Sequence, residues 1–239
     1  MKIAVFSDIH GNSGALEAVL KDISARDIDM AFCLGDLVGY GPYPNEVISL
    51  IRTNHIPSIM GNYDEGVGYD RSECGCAYKD EKEIELGNRS LIWMKEHVSP
   101  ENKAYLRGLL HRLEFNIYDK RVLLVHGSPR KINEYLFENR PDESILRMIN
   151  GEQVDILICG HTHLPYAKKL DRKFLINAGS AGKPKDGDPR AGYMIVTLTE
   201  NTVEPEIIRV PYDTEAMARA IEATDLPHEF ADALRNAKS

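Results

Sequence analysis

Five short apolar runs punctuate the chain, at residues 3–6, 30–34, 56–60, 122–125 and 154–158, each of a length suited to a buried β-strand. Each stops abruptly at polar residues that can bind a metal. In order these are Ser7-Asp8-Ile9-His10, Gly35-Asp36, Gly61-Asn62, His126-Gly127 and Gly160-His161-Thr162-His163. Between the first two runs, Ala15, Leu16, Val19, Leu20 and Ile23 recur at helical spacing behind Ser13, an N-cap residue type. Between the second and third, Pro44 suits a first helical turn, and Val47, Ile48, Leu50 and Ile51 form an apolar stripe. This β-α-β-α-β alternation predicts a parallel sheet with right-handed crossovers. Ligands of such sheets gather beyond the carboxyl ends of the strands, so the five polar clusters are expected to converge on one edge.

The pattern breaks from about residue 65 to 112. A polar, glycine-containing loop at 66–75 precedes amphipathic stretches carrying Ile84, Leu91, Ile92 and Met94, then Leu106, Leu109 and Leu110 behind the cap Ser99-Pro100-Glu101. This reads as a small helical insertion beside the site. Residues 174–176, 193–198 and 203–210 read as strands of a second, more antiparallel sheet, and the tail from Asp213 as helical.

Composition narrows the class. With 239 residues, 43% of them hydrophobic, the chain can bury the core of one α/β domain spanning 1–239 with its insertion at about 65–112. A formal net charge of −8 argues against an extended surface for nucleic-acid phosphates. The N-terminus lacks the apolar core of a signal peptide, and no stretch is long enough to span a bilayer. Four cysteines, Cys33, Cys74, Cys76 and Cys159, are too sparse for a disulfide framework. A cytoplasmic protein is the expectation, its oligomeric state left open. Of the readings open to Cys74-Gly75-Cys76, a redox pair, a metal pair or an incidental loop feature, the last is the expectation, since no second pair or histidine is nearby, and His55, His97, His111 and His228 have no ligand partners nearby in the sequence.

The chemistry lies in the donor set Asp8, His10, Asp36, Asn62, His126, His161 and His163. Any one of these is ordinarily a cap, a turn residue or a satisfied polar group. Five successive strand ends each offering a ligand is a different matter. Oxygen and imidazole donors without thiolate suit two adjacent divalent cations, Mn first, with Fe, Zn, Ni or Co fitting the same donors.

Asp8-Ile9-His10, Gly35-Asp36, Gly61-Asn62-Tyr63-Asp64, His126-Gly127 and Gly160-His161-Thr162-His163 together resemble the five ordered motifs of calcineurin-like metallophosphoesterases, over roughly residues 1–200. The resemblance implies a four-layered α-β-β-α sandwich of two mixed sheets flanked by helices. It also implies that Asp8, His10 and His163 bind one metal, that Asn62, His126 and His161 bind another, and that Asp36 bridges them. A hydroxide shared by the metals would then attack phosphorus in line. Gly35 to Pro42, His126 to Arg130 and the loop 178–190 are similar to the compact bacterial and archaeal branch that includes small phosphodiesterases. The implied activity is hydrolysis of a small phosphate ester, as a phosphodiesterase or a nucleotide or dinucleoside polyphosphate hydrolase. The alternatives are a protein serine/threonine phosphatase and a non-catalytic interaction scaffold.

Asn62, Tyr63, Asp64 and His126 are the implied catalytic group. Tyr63 departs from the pattern, because many relatives have there a histidine that pairs with the following aspartate and protonates the leaving oxygen. A phenol of ordinary pKa near ~10 is a poor donor at neutral pH. Arg130, Lys183 and Arg190 lie near motif loops and are candidate phosphate contacts.

Overall fold

The computed structural model describes residues 1–77 and 80–238. Its first half runs β1 (Lys2–Phe6), α1 (Ser13–Ser24), β2 (Met30–Cys33), α2 (Pro44–Thr53), α3 (Asn62–Gly68), α4 (Glu81–His97) and α5 (Pro100–Arg107). The second half runs β3 (Arg112–Ile117), β4 (Lys120–Val125), α6 (Asp142–Gly151), β5 (Ile156–Cys159), β6 (Tyr166–Leu170), β7 (Lys173–Asn177), β8 (Ala191–Leu198), β9 (Val203–Val210), α7 (Thr214–Glu222) and α8 (Glu229–Asn236). The strands form two mixed sheets, ordered β2-β1-β8-β9 and β3-β4-β5-β7-β6. Eight helices among the described residues flank them.

Alternation of side chains along each strand builds the layers. From β1, Ile3 and Val5 enter a core between the sheets with Val122, Leu124, Ile156 and Ile158, while Ala4 and Phe6 face α1 and α2. From β4 and β5, Leu123 and Leu157 pack on the far side against Ile145 and Ile149 of α6. Every central strand is therefore buried on both faces, which is why those runs are continuously apolar instead of alternating. Burial of each such side chain contributes about 1.5–3 kcal/mol.

Several elements differ from expectation. Residues 56–60 form no strand; Ser58 and Ile59 make only isolated bridges, to Cys33 and Leu110. Pro57 offers a carbonyl to Cys33 N–H at 3.0 Å but has no N–H for the ladder. The N-cap of α1 is Asn12, whose Oδ1 accepts from Ala15 N–H at 3.0 Å, and Ser13 is the first helical residue. Asn12 reaches further than serine could, because its amide nitrogen also donates to Gly182 O at 2.8 Å. The late strands do not make a sheet of their own. β8 lies antiparallel beside β1 and carries β9, whereas β7 joins the other sheet parallel to β5. The strand-end clusters thus meet from two sheets, β1 and β2 in one, β4 and β5 in the other. The expected loop at 66–75 is helical through Gly68, since α3 begins at Asn62 itself.

Candidate metal centre

The strand ends turn sharply to aim their side chains. Asp8, His10, Asp36, His161 and His163 all have positive φ, between 51° and 65°. Each left-handed non-glycine residue costs on the order of 1–3 kcal/mol, and such strain gathers where function requires it. The loops are stitched to one another: Ile9 and His10 N–H both donate to Asp36 O at 2.9 Å, and His161 N–H to Asp8 Oδ2 at 2.9 Å. Gly61 permits one such close approach. A Cβ there would lie 2.1 Å from Asp36 Oδ1 and 2.2 Å from Asp36 N.

Three imidazoles are fixed in one tautomer by carbonyl partners. His10 Nδ1 donates to Val38 O at 3.0 Å, His126 Nδ1 to Leu34 O at 2.8 Å and His163 Nδ1 to Lys183 O at 2.5 Å. A carbonyl only accepts, so each Nδ1 carries the proton and each Nε2 turns inward. There the Nε2 atoms of His10 and His163 lie 3.2 Å apart. His163 Nε2 is 3.2 Å from Asp8 Oδ1, and Asp36 Oδ2 is 3.4 Å from His126 Nε2 and 3.7 Å from His10 Nε2. Asp8 Oδ1 and His161 Nε2 are buried with no hydrogen-bond partner. Acceptor facing acceptor in a buried place is unfavourable until a cation stands between them. The donor set therefore fits divalent metal.

The ligand atoms form two groups, Asp8, His10 and His163, and Asp36, His126 and His161, each within 4.8 Å of one another. Asn62 adjoins the second, its Oδ1 3.0 Å from His126 Nε2. All seven expected ligand residues are thus brought together and buried.

Protonation is set by the same packing. Burial pushes the Asp8 carboxyl up, but His163, His126 and His10 outweigh it and hold it well below the usual range; burial and His126 act likewise on Asp36. Burial lowers His10 to about 3, and burial with His126 lowers His161 to about 3. For His126, burial is outweighed by Asp36, and the ring is raised to about 9. Charged carboxylates beside mostly neutral imidazoles are what metal ligation needs.

A cavity of about 890 Å³ opens over this centre, reached by His10, Asp36, Tyr63, His161, His163 and Lys183. Lys183 is buried, with its Nζ 4.7 Å above the Tyr40 ring; burial first, then Lys185, lowers it to about 7. Arg130 and Arg190 do not line this cavity: Arg130 binds Glu134, and Arg190 Nη2 lies 2.6 Å from Asp188. Asp64 lies beneath the centre, its carboxylate accepting from Leu37 N–H at 2.9 Å, Val38 N–H at 3.4 Å and Gly61 N–H at 3.0 Å. Burial and the Asp36 charge raise it to about 7.

The cavity also has an aromatic wall that the sequence reading did not assign to the site. Tyr40, Tyr135, Phe137 and Phe230 line it, with the Tyr135 ring 4.0 Å from His161. Tyr40 follows the Asp36 motif by four residues and Tyr135 lies in the loop after His126, so proximity to motifs was a usable signal for them. Phe230, from α8, carried none.

Residues 1–201 match the model of the calcineurin-like phosphoesterase superfamily domain. An uncharacterized protein of Methanocaldococcus jannaschii is 36% identical over 250 residues, covering 97% of this chain and 96% of that protein. The phosphodiesterase YfcE of Escherichia coli K12 is 27% identical over 207 residues, 82% of this chain and 87% of its own length. Among solved structures, a metallophosphoesterase from Sphaerobacter thermophilus superposes with a TM-score of 0.77 at 29% identity, covering 99% of both chains.

Proposed function

The chain belongs to the calcineurin-like phosphoesterase superfamily and is a metal-dependent phosphoric ester hydrolase, and from that premise we propose that it is a two-metal phosphodiesterase or nucleotide hydrolase. The observation that carries this reading is the position of the Asp36 carboxylate between His10 of one ligand group and His126 of the other. Asp8, His10 and His163 would hold one cation, Asn62, His126 and His161 the second, with Asp36 shared. Two bound cations supply the charge that offsets repulsion between a phosphate ester and its nucleophile, and lower the pKa of water.

The chain's own residues then divide the work. Asp36 is held by Tyr63 N–H, which donates to its Oδ1 at 2.8 Å and leaves Oδ2 toward the histidines. Asn62 presents its oxygen inward because its nitrogen donates to Cys74 O at 3.0 Å. Lys183 supplies a cationic group for a non-bridging phosphate oxygen, buried where little water screens it. The aromatic wall takes the organic part of the ester. Hydrolysis breaks the bond from phosphorus to the leaving oxygen, which must then carry charge or gain a proton. With Tyr63 in the place of an imidazole, esters with stable leaving groups are favoured.

The test strips the protein with chelator, refills it with Mn, Co, Ni, Zn or Mg and follows bis(p-nitrophenyl) phosphate, p-nitrophenyl phosphate and an alkyl monoester. Turnover is expected to vanish on stripping and return best with Mn, with the aryl diester ahead of the alkyl monoester. Asp36→Asn is expected to lower turnover by about 100-fold or more, the scale of losing one preorganised charged group. Undiminished turnover in metal-free protein, verified by elemental analysis, would end the metal reading; full activity in metal-saturated Asp36→Asn would end the shared-ligand reading.

A further inference from the structure

Between α3 and α4 the chain passes directly over a member of the metal centre. Asn62 Nδ2 donates to Cys74 O at 3.0 Å and to Cys76 Sγ at 3.3 Å, while its Oδ1 faces His126. The two sulfurs of Cys74 and Cys76 lie 3.1 Å apart. In an extended chain, side chains two residues apart share a face but stand roughly 6.6 Å apart, so the backbone must curl to bring the sulfurs together. Gly75 provides the curl with φ +71°, and its carbonyl is held by Asn133 Nδ2 at 2.8 Å. Cys74 is 8% exposed and packs into the core, whereas Cys76 is half-buried and lines the cavity. A small oxidant entering the cavity therefore meets Cys76 with Cys74 behind it. The remaining cysteines offer no competing site, since Cys33 and Cys159 are fully buried and burial pushes both thiols far up.

We propose that Cys74 and Cys76 are a redox-modification site, closing into a disulfide when a low-molecular-weight disulfide reaches the cavity and thereby withdrawing Cys76 from Asn62 and slowing hydrolysis. The Cys76 sulfur attacks the reagent disulfide, forming a mixed disulfide and releasing one thiol. The Cys74 sulfur then attacks the Cys76 sulfur and releases the second thiol. Two cysteine thiols and one reagent disulfide become one protein disulfide and two reagent thiols, the protons of the cysteines ending on the released thiols. An S–S bond of about 2.05 Å draws the sulfurs together by about 1 Å. Cys76 moves away from the Asn62 amide, which loses one of the two partners that hold its oxygen inward. Loss of an outer partner of a metal ligand typically costs about 10- to 100-fold in affinity or activity. The effect on turnover rests on the phosphoesterase reading above, whereas the disulfide itself does not.

The experiment treats Mn-loaded protein with oxidised glutathione, alkylates remaining thiols and maps peptides by mass, while following bis(p-nitrophenyl) phosphate in parallel. The peptide holding residues 74 and 76 is expected to escape alkylation and to lose two hydrogens. Turnover is expected to fall about 10- to 100-fold and to recover with tris(2-carboxyethyl)phosphine. Cys76→Ser keeps an oxygen acceptor for Asn62 but no cavity-facing sulfur, and its turnover after treatment is expected to equal its own untreated value. No bond between residues 74 and 76 overturns the proposal, as does a bond that forms with turnover unchanged. If untreated protein hydrolyses no phosphoester, the functional reading fails instead, and the peptide map still decides whether the disulfide forms.

Discussion

At the scale of single residues, Asp64 and Tyr63 show how neighbours in sequence come to different work. The resemblance implied that Asp64 orients a proton donor, yet its carboxylate is taken up by the N–H groups of Leu37, Val38 and Gly61. It ties the Asp36 loop to the start of α3, a duty that needs three-dimensional neighbours and left no trace in the motif. Tyr63, in contrast, reaches the cavity, its ring edge-on to His10 at 5.4 Å between centroids. On the proposed reading, replacing it with histidine would put a group of ordinary pKa near ~6.5 beside the leaving oxygen. A well-placed general acid is worth about 10²- to 10⁴-fold. Because Asp64 is already engaged, the introduced imidazole lacks a dedicated carboxylate, so a gain at the low end, about a hundredfold, is expected. Measured as kcat/KM, Tyr63→His should gain on an alkyl monoester relative to an aryl diester. An unchanged ratio would show that leaving-group protonation is not limiting. The candidate ligand residues were legible because each is a metal-binding residue type just beyond an apolar run. What could not be read is that three of the histidines are fixed through Nδ1 to carbonyls of Leu34, Val38 and Lys183, since backbone partners leave no signature in residue identity.

At the scale of elements, the segment between β4 and α6 is braced by the Glu134 carboxylate. Glu134 accepts from Ser128 Oγ at 2.5 Å and from Arg140 Nη1 at 2.9 Å, and pairs with Arg130. Arg130, expected to meet phosphate, is instead part of the brace that sets Tyr135 and Phe137 at the cavity; its partner four residues on was in plain view, but outside a helix that spacing promises no contact. Burial alone would raise the Glu134 carboxyl, but the hydrogen bonds from Arg130, Ser128 and Arg140 bring it down to about 2 from an ordinary 4.5. The sign follows: a depressed carboxylate stabilises the fold fully above its unfolded pKa, and that stabilisation is lost as pH falls from about 4.5 to about 2. Glu134→Gln should therefore lower the midpoint of thermal unfolding at pH 7, where losing a charge-assisted bond costs about 2 kcal/mol, or about 4–8 °C. The deficit should shrink as pH is lowered through 4 toward 3. A deficit independent of pH would assign the loss to packing. Run 56–60 makes the same point from the other side: its apolar content promised a strand, and Pro57 removed the donor that a ladder needs.

At the scale of the whole molecule, the last helix, α8, lies outside the part that matches the family domain, residues 1–201, yet it completes the cavity. The helical tail was legible as amphipathic pattern, but its destination was not, because an apolar stripe states that a face is covered and not by what. α8 reaches across to the helical segment at 81–107. Lys82 Nζ is 3.4 Å from Glu229, and the Phe230 ring meets Tyr40 edge-on at 5.0 Å between centroids. Tyr40 in turn lies 4.8 Å from both the His10 and Tyr63 rings, so a chain of aromatic contacts runs from α8 to the metal centre. The outer part of the cavity is thus framed by α4 and α8, and its inner part by the motif loops. On the proposed reading, a small aryl ester would fill the inner part, whereas a nucleotide-sized ester would extend outward to Phe230. Truncating Phe230 to alanine removes that contact and costs about 3–5 kcal/mol of core packing, given its near-complete burial. Weaker folding lowers the active fraction for every substrate alike and so scales all rates together. Loss of the wall acts on KM for the larger ester alone. Comparison of kcat/KM for bis(p-nitrophenyl) phosphate and for a p-nitrophenyl ester of a nucleoside monophosphate, normalised to active sites by bound Mn, separates the two. The larger ester is expected to lose about tenfold more than the smaller, equivalent to about 1.4 kcal/mol for one aromatic contact. Equal losses would mean that α8 supports the fold without reading the substrate.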